Sequence, residues 1–127
     1  MKLSPVVLGL VQRNGRWFLQ RRDPLNAVLP GRWEFPGGKA GQGESLEEAL
    51  RRELSKELEW EPSSCTALAP VEHRYPDRPD RAVRLHPFSC EGEFVIRTRL
   101  SWGWFTLDEM RRLPIPEANR PLLERLR

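Results

Sequence analysis

GGKAGQGESLEEALRRELSKELEW, residues 37 to 60, joins a glycine-rich approach to an amphipathic helix. Ser45 and Glu48 stand at capping-box spacing and acidic residues crowd the first turn, so the sequence predicts a helix over Ser45 to Glu59, stopped by Pro62. At about 100° per residue, Leu46, Ala49, Leu50, Leu54 and Leu58 fall on one arc, with Glu48, Arg51, Ser55 and Glu59 opposite. Glu53 and Glu57 break the pattern. They project between Ala49 and Leu50, near the middle of the apolar arc.

Most helix charges are solvated or paired at i,i+4 spacing, which accounts for Glu47, Glu48 and Glu59. Two carboxylates stacked on a core-facing stripe repel each other and lose hydration unless a cation or hydrogen-bond donors compensate them. Hard carboxylate oxygens suit Mg²⁺ or Mn²⁺, which are commonly held by one or two carboxylates together with substrate phosphates. Arg52 stands beside Glu53 and can orient it. The pair Gly37 and Gly38 can bring bare backbone close to a metal or phosphate where a Cβ would obstruct it.

Upstream, residues 5 to 12 (PVVLGLVQ) and 16 to 21 (RWFLQR) are β-rich and flank Asn14-Gly15, the pattern of a hairpin. Residues 22 to 31 read as a loop and 32 to 35 as a short extended piece. Downstream, 66 to 75 and 82 to 90 read as strands joined by a turn at YPDRPD, with further extended pieces at 93 to 97 and 101 to 106. Leu107 to Leu113 reads as a short helical turn. A closing helix is expected after Pro116, running to the C-terminus with Pro121 in its first turn or at its start. Strands, one long helix, more strands and a closing helix imply an α/β fold, a mixed sheet flanked by helices.

The 127 residues suit one such domain, spanning 1–127. Hydrophobic residues at 39% and charged residues at 31% exclude disordered and fibrous classes. No apolar run approaches the roughly 20 residues that cross a bilayer, and the N-terminus reads as a strand rather than a signal peptide. A cytoplasmic location is expected, with Cys65 and Cys90 as reduced thiols without chemistry and no membrane partner. A net charge of +3 falls short of a duplex-binding footprint and suits an anionic small ligand. Arg74, Arg78, Arg81 and Arg84 lack interleaved aromatic platforms beyond Tyr75, so they read as a strand edge or a phosphate-facing loop and not as a nucleic-acid surface.

Gly38, Glu44, Arg52, Glu53, Leu54, Glu57 and Trp60 together resemble the Nudix box, G-x5-E-x7-R-E-U-x-E-E-x-G-U with U apolar. The likeness extends to the MutT branch through EFPGGK at Glu34 to Lys39, YPDR at Tyr75 to Arg78 and IPEANRP at Ile115 to Pro121. The resemblance implies an α/β/α sandwich around a mixed sheet. It also implies hydrolysis of a nucleoside triphosphate, such as the oxidised purine nucleotide 8-oxo-dGTP or a pyrimidine triphosphate, to monophosphate and pyrophosphate. Phosphoryl chemistry of this kind depends on charge neutralisation and placement of water.

Residue by residue, the resemblance implies metal binding by Gly37 or Gly38 through a carbonyl and by Glu53 and Glu57 through their carboxylates. Glu53 would activate water, Arg52 would orient it, and Glu44 would support the metal's surroundings. For the nucleotide it implies Arg22 on a phosphate, Glu34, Phe35, Pro36 and Gly37 lining the pocket, and Arg78 and Asn119 near the base. An Asn amide offers a base edge both donor and acceptor, and Phe35 could supply a stacking face. Apart from the resemblance, Asn119 reads as a helix cap.

Two box positions depart from the pattern. Lys56 stands where the first glutamate of the E-E pair is expected, within one turn of Glu53, where its ammonium could pair with that carboxylate in place of a metal ion. Glu59 stands where Gly is expected. A further glutamate expected on the loop before the late strand aligns with Thr98, and a hydroxyl does not replace an anionic ligand. Two readings therefore stay open: a hydrolase with a reduced carboxylate set, and a degenerate domain that binds a nucleotide as a sensor or partner-binding module without efficient turnover.

Overall fold

The computed structural model describes residues 2–26 and 29–126. Met1, Ala27 and Val28 of the expected loop, and Arg127 at the end of the expected closing helix, lie outside the described residues. In chain order the strands and helices are β1 (Lys2–Leu10), β2 (Gln12–Arg13), β3 (Arg16–Arg21), β4 (Trp33–Glu34), β5 (Gly37–Lys39), α1 (Leu46–Leu58), β6 (Ser64–Ala67), β7 (Val71–Tyr75), β8 (Arg78–Glu91), β9 (Trp102–Phe105), α2 (Leu107–Arg112) and α3 (Arg120–Leu123), with a 3-10 turn at Glu117–Asn119 before α3.

β1 is the hinge of the architecture. It runs parallel to β8 and antiparallel to β5, giving a mixed sheet in the order β5-β1-β8-β6, with β7 also on β8. A second, antiparallel sheet is ordered β2-β3-β4, with β9 on β3. The expected hairpin forms at Asn14 (φ 51°) and Gly15 (φ 74°), positive angles that an Asn-Gly turn tolerates. Its first arm is only β2. The run expected as one strand over 5 to 12 passes from one sheet to the other at Val11, whose carbonyl accepts from Phe18 N at 3.0 Å.

Strand alternation splits the core between two faces. Val7, Val11, Phe18, Phe88 and Cys90 pack with Ala49, Leu50, Leu54 and Leu58 of α1. Leu8, Leu10, Trp17, Leu19 and Leu85 pack on the opposite side with Met110, Ala118, Leu122 and Leu123. The helices thus lie on both faces, the α/β/α arrangement expected. Among the described residues no helix is long and apolar enough to cross a membrane.

Three expectations need correction. The single strand expected over 66 to 75 is two, β6 and β7, both on one edge of β8. Residues 93 to 97 form no strand: Glu93 O accepts from Trp60 Nε1 at 2.9 Å and Arg97 N donates to Leu58 O at 2.8 Å, so this segment closes the end of α1 and joins no ladder. The closing helix is a 3-10 turn followed by the single turn of α3, which has Pro121 in its first turn and stops at Leu123.

Candidate metal and phosphate site

The N-terminus of α1 is built as its sequence dictates. Ser45 Oγ accepts from Glu48 N at 3.1 Å and Glu48 Oε1 accepts from Ser45 N at 2.9 Å, closing a capping box. This fixes the helix phase and turns Glu53 and Glu57 toward β5. Glu53 is 7% exposed, and Glu57 is half-buried.

Gly38 lies against Glu53 so closely that a Cβ there would come within 2.7 Å of the carboxyl carbon. Gly37, at φ 155°, has no room either, since a Cβ would sit 1.9 Å from the carbonyl oxygen of Val7. Its N–H donates to Glu57 Oε2 at 3.3 Å. The glycine pair therefore brings β5 backbone against both carboxylates.

Arg52 braces Glu53 from outside the core. Its Nη1 donates to Glu53 Oε1 at 2.7 Å, while Nε and Nη2 form a fork on Glu44 at 3.1 and 2.6 Å, and Nη2 also reaches Lys39 O at 3.1 Å. Glu44 Oε1 accepts from Gly41 N at 2.6 Å as well. The Arg52 hydrogen bond, followed by that of Gly41, holds the Glu44 carboxyl down at about 2. Glu44 and Arg52 thus form a fixed charged clamp at the lip of the site. Lys56 is exposed and joins no ion pair among the described residues. The pairing considered between Lys56 and Glu53 is corrected: Arg52 takes that carboxylate.

Burial pushes the Glu57 carboxyl up to about 7 against the Gly37 N–H that favours its charge, and the charges of Glu53 and Glu34 raise it further. Two carboxylates that repel each other at the end of a glycine-lined backbone have the donor chemistry of one hard divalent cation completed by carbonyls, water and phosphate oxygens. They fit such an ion. Among the described residues no group of three or more His, Cys, Asp or Glu comes together as a larger metal cluster.

Of the residues expected at the nucleotide, Arg22 is held by Glu34 at 3.0 Å. Burial raises the Glu34 carboxyl while Arg22 opposes the rise. Arg22 therefore ends on a carboxylate in this structure. Phe35 is 2% exposed and lies in the core beside Leu8 and Leu10, so the stacking face expected of it is not presented. Pro36 is fully buried and its carbonyl accepts from Gly9 N at 2.8 Å.

Asn119 is 5% exposed and its side chain makes no cap hydrogen bond, although it occupies the N-cap of α3. Asn119 therefore stands at the cap position expected of it but does not cap through its side chain. Arg78 is not brought to the carboxylates. It opens β8 nine residues before Pro87, which lies in register with Leu8 and so with Gly37, a path of about 30 Å along the strand.

Sequence reading missed Gln20. It is 2% exposed on β3, and its Nε2 donates to Glu57 Oε2 at 3.2 Å. Thr98 Oγ1 donates to Gln20 Oε1 at 2.8 Å and accepts from Leu100 N at 3.1 Å. A signal was present: alternation along RWFLQR sets Gln20 on the same face as Phe18, a polar residue at a core position.

A helix presenting two inward glutamates to a glycine pair, with an arginine clamp at its lip, is the arrangement that the Nudix box implies for an α/β domain. The chain belongs to the Nudix family, matching the NUDIX domain over residues 2–126. It is 31% identical over 124 residues to the CTP pyrophosphohydrolase of Escherichia coli (strain K12), a match covering 98% of this chain and 91% of that protein. It is 41% identical over 69 residues to the 8-oxo-dGTP diphosphatase of Proteus vulgaris, which spans 54% of this chain and 61% of that relative's length. The MutT NUDIX hydrolase structure from Burkholderia pseudomallei superposes with a TM-score of 0.84 at 26% identity, covering the whole of both chains. The likeness thus lies with the MutT-like hydrolases, a family that generally uses divalent metals.

Proposed function

We propose that this chain, acting as a single domain, hydrolyses a nucleoside triphosphate to the monophosphate and pyrophosphate. The observation that carries the reading is the packing of Glu53 and Glu57 against Gly37 and Gly38, with Arg52 donating to Glu53. Glu53, Glu57 and a carbonyl of Gly37 or Gly38 would hold Mg²⁺ or Mn²⁺. The bound ion would neutralise phosphate oxygens and acidify water. Glu53 takes the proton from the attacking water, Arg52 fixes the carboxylate that receives it, and Glu44 fixes Arg52. The buried amide of Asn119, free of a capping bond, supports a place at the base edge, and the relatives' names point to an oxidised purine or a pyrimidine nucleotide. A cytoplasmic location belongs to the same reading.

The second reading, nucleotide binding without efficient turnover, rests on the carboxylate count. Thr98 carries no charge to the site, and Lys56 stands exposed one turn from Glu53. Separation of products from a panel of nucleoside triphosphates, with Mg²⁺ and with Mn²⁺, distinguishes the two. Monophosphate and pyrophosphate from at least one nucleotide are expected. Tight binding of a nucleotide that is returned intact would establish the second reading.

A further inference from the structure

We propose that Gln20 and Thr98 form a positioning relay for Glu57, the neutral amide of Gln20 holding that carboxylate in place. The proposal rests on the reading of Glu57 as a metal-binding carboxylate. Its foundation is a chain of hydrogen bonds whose polarity is set by the ionised Glu57 carboxylate.

Leu100 N–H occupies a lone pair of Thr98 Oγ1, so the hydroxyl proton is directed elsewhere, to Gln20 Oε1. With its oxygen so engaged, the amide turns Nε2 toward Glu57, whose ionised carboxylate accepts. Glu57 Oε2 then receives two N–H groups, from Gln20 on β3 and from Gly37 at the start of β5. Its other oxygen makes no hydrogen bond among the described residues and is left for a cation. Gln20 sits at an inward register position of β3 between its ladder partners Glu34 and Trp102, so its amide has little freedom to swing away.

The arrangement ties the loop before β9 to Glu57 of α1 through a residue of the second sheet. Loss of the Thr98 hydroxyl leaves Gln20 Oε1 without its donor and the amide less firmly held for its bond to Glu57. Gln20 is a positioning residue: it acts on the metal site through Glu57.

The test is a Mn²⁺ titration of the nucleotide-free protein, followed by electron paramagnetic resonance of the unbound ion, on the native chain, Gln20→Met, Thr98→Val, Thr98→Ser and Glu57→Gln. Urea midpoints of each variant confirm folding. Gln20→Met and Thr98→Val are expected to weaken Mn²⁺ binding about tenfold, as outer partners of metal ligands commonly do, while Thr98→Ser stays within about twofold of native. A merely structural hydroxyl would lower the urea midpoint without moving Mn²⁺ affinity. Folded Gln20→Met and Thr98→Val proteins that bind Mn²⁺ as the native chain does, while Glu57→Gln does not, overturn the relay alone. Native affinity in Glu57→Gln overturns both the relay and the metal role of Glu57.

Discussion

Gly38 and Glu53 are in such close approach that no side chain fits between them: a Cβ on residue 38 would lie 2.7 Å from both Cδ and Oε2 of Glu53. The adjacent Gly37 is constrained differently, by backbone, at φ 155° and against the carbonyl of Val7. The two substitutions should therefore separate. Gly38→Ala displaces a side chain and is expected to lower kcat by about 100-fold while the protein still folds. Gly37→Ala forces the main chain apart and is expected to reduce the yield of folded protein. Urea unfolding and steady-state kinetics on both variants check this.

Glu59 ends α1 in the left-handed region, at φ 52° and ψ 42°. A side chain is disfavoured there and glycine is not, so Glu59→Gly should stabilise the fold by about 1 kcal/mol, which raises Tm by about 4 °C for a chain of this size. Its side chain is exposed, with a loose contact to Arg97 at 4.0 Å as its one ion pair among the described residues. Calorimetry of the two proteins decides the point.

Glu57 gives the metal-free protein a pH dependence of definite sign. Burial raises its carboxyl from an ordinary 4.5 to about 7, so the folded chain holds a proton that the unfolded chain releases. That contribution is full below about 4.5 and is lost as pH rises through about 7. With chelator present, the native Tm is expected to fall between pH 5 and pH 8. Glu57→Gln should show a smaller fall, measured in the same buffers.

Lys56→Glu adds a carboxylate three residues from Glu53 at a position that forms no ion pair among the described residues. Mn²⁺ affinity is expected to rise about tenfold, since a repelling cation is exchanged for an anion near the ion. An unchanged affinity in a metal titration would show that the number of carboxylates does not limit binding.

The legible parts of this protein are those decided within one helical turn or one tight turn. The capping box at Ser45 and Glu48, the inward face of Glu53 and Glu57, and the turn at Asn14-Gly15 each depend on neighbours three or four residues away. Gln20 meets Glu57 across 37 residues of sequence, and only the packing of β3 on the α1 side makes that pair. Thr98 was visible as a missing charge but not as the partner of an amide. The aromatic and β-branched segment around Phe94 suggested a strand, yet its backbone groups cap the end of α1. Phe35 stood beside the glycine pair and looked available to a ligand, but the sheet turns its ring into the core.

The role of Glu53 in hydrolysis is tested most directly by the rate of pyrophosphate release from nucleoside triphosphates with Mg²⁺, for the native chain and for Glu53→Gln. Turnover of at least one nucleotide by the native chain is expected, with a fall in kcat of about 1,000-fold in Glu53→Gln and folding retained. A Glu53→Gln protein as active as the native chain would contradict it, as would a native chain that binds a nucleotide at micromolar concentration and releases no pyrophosphate from any.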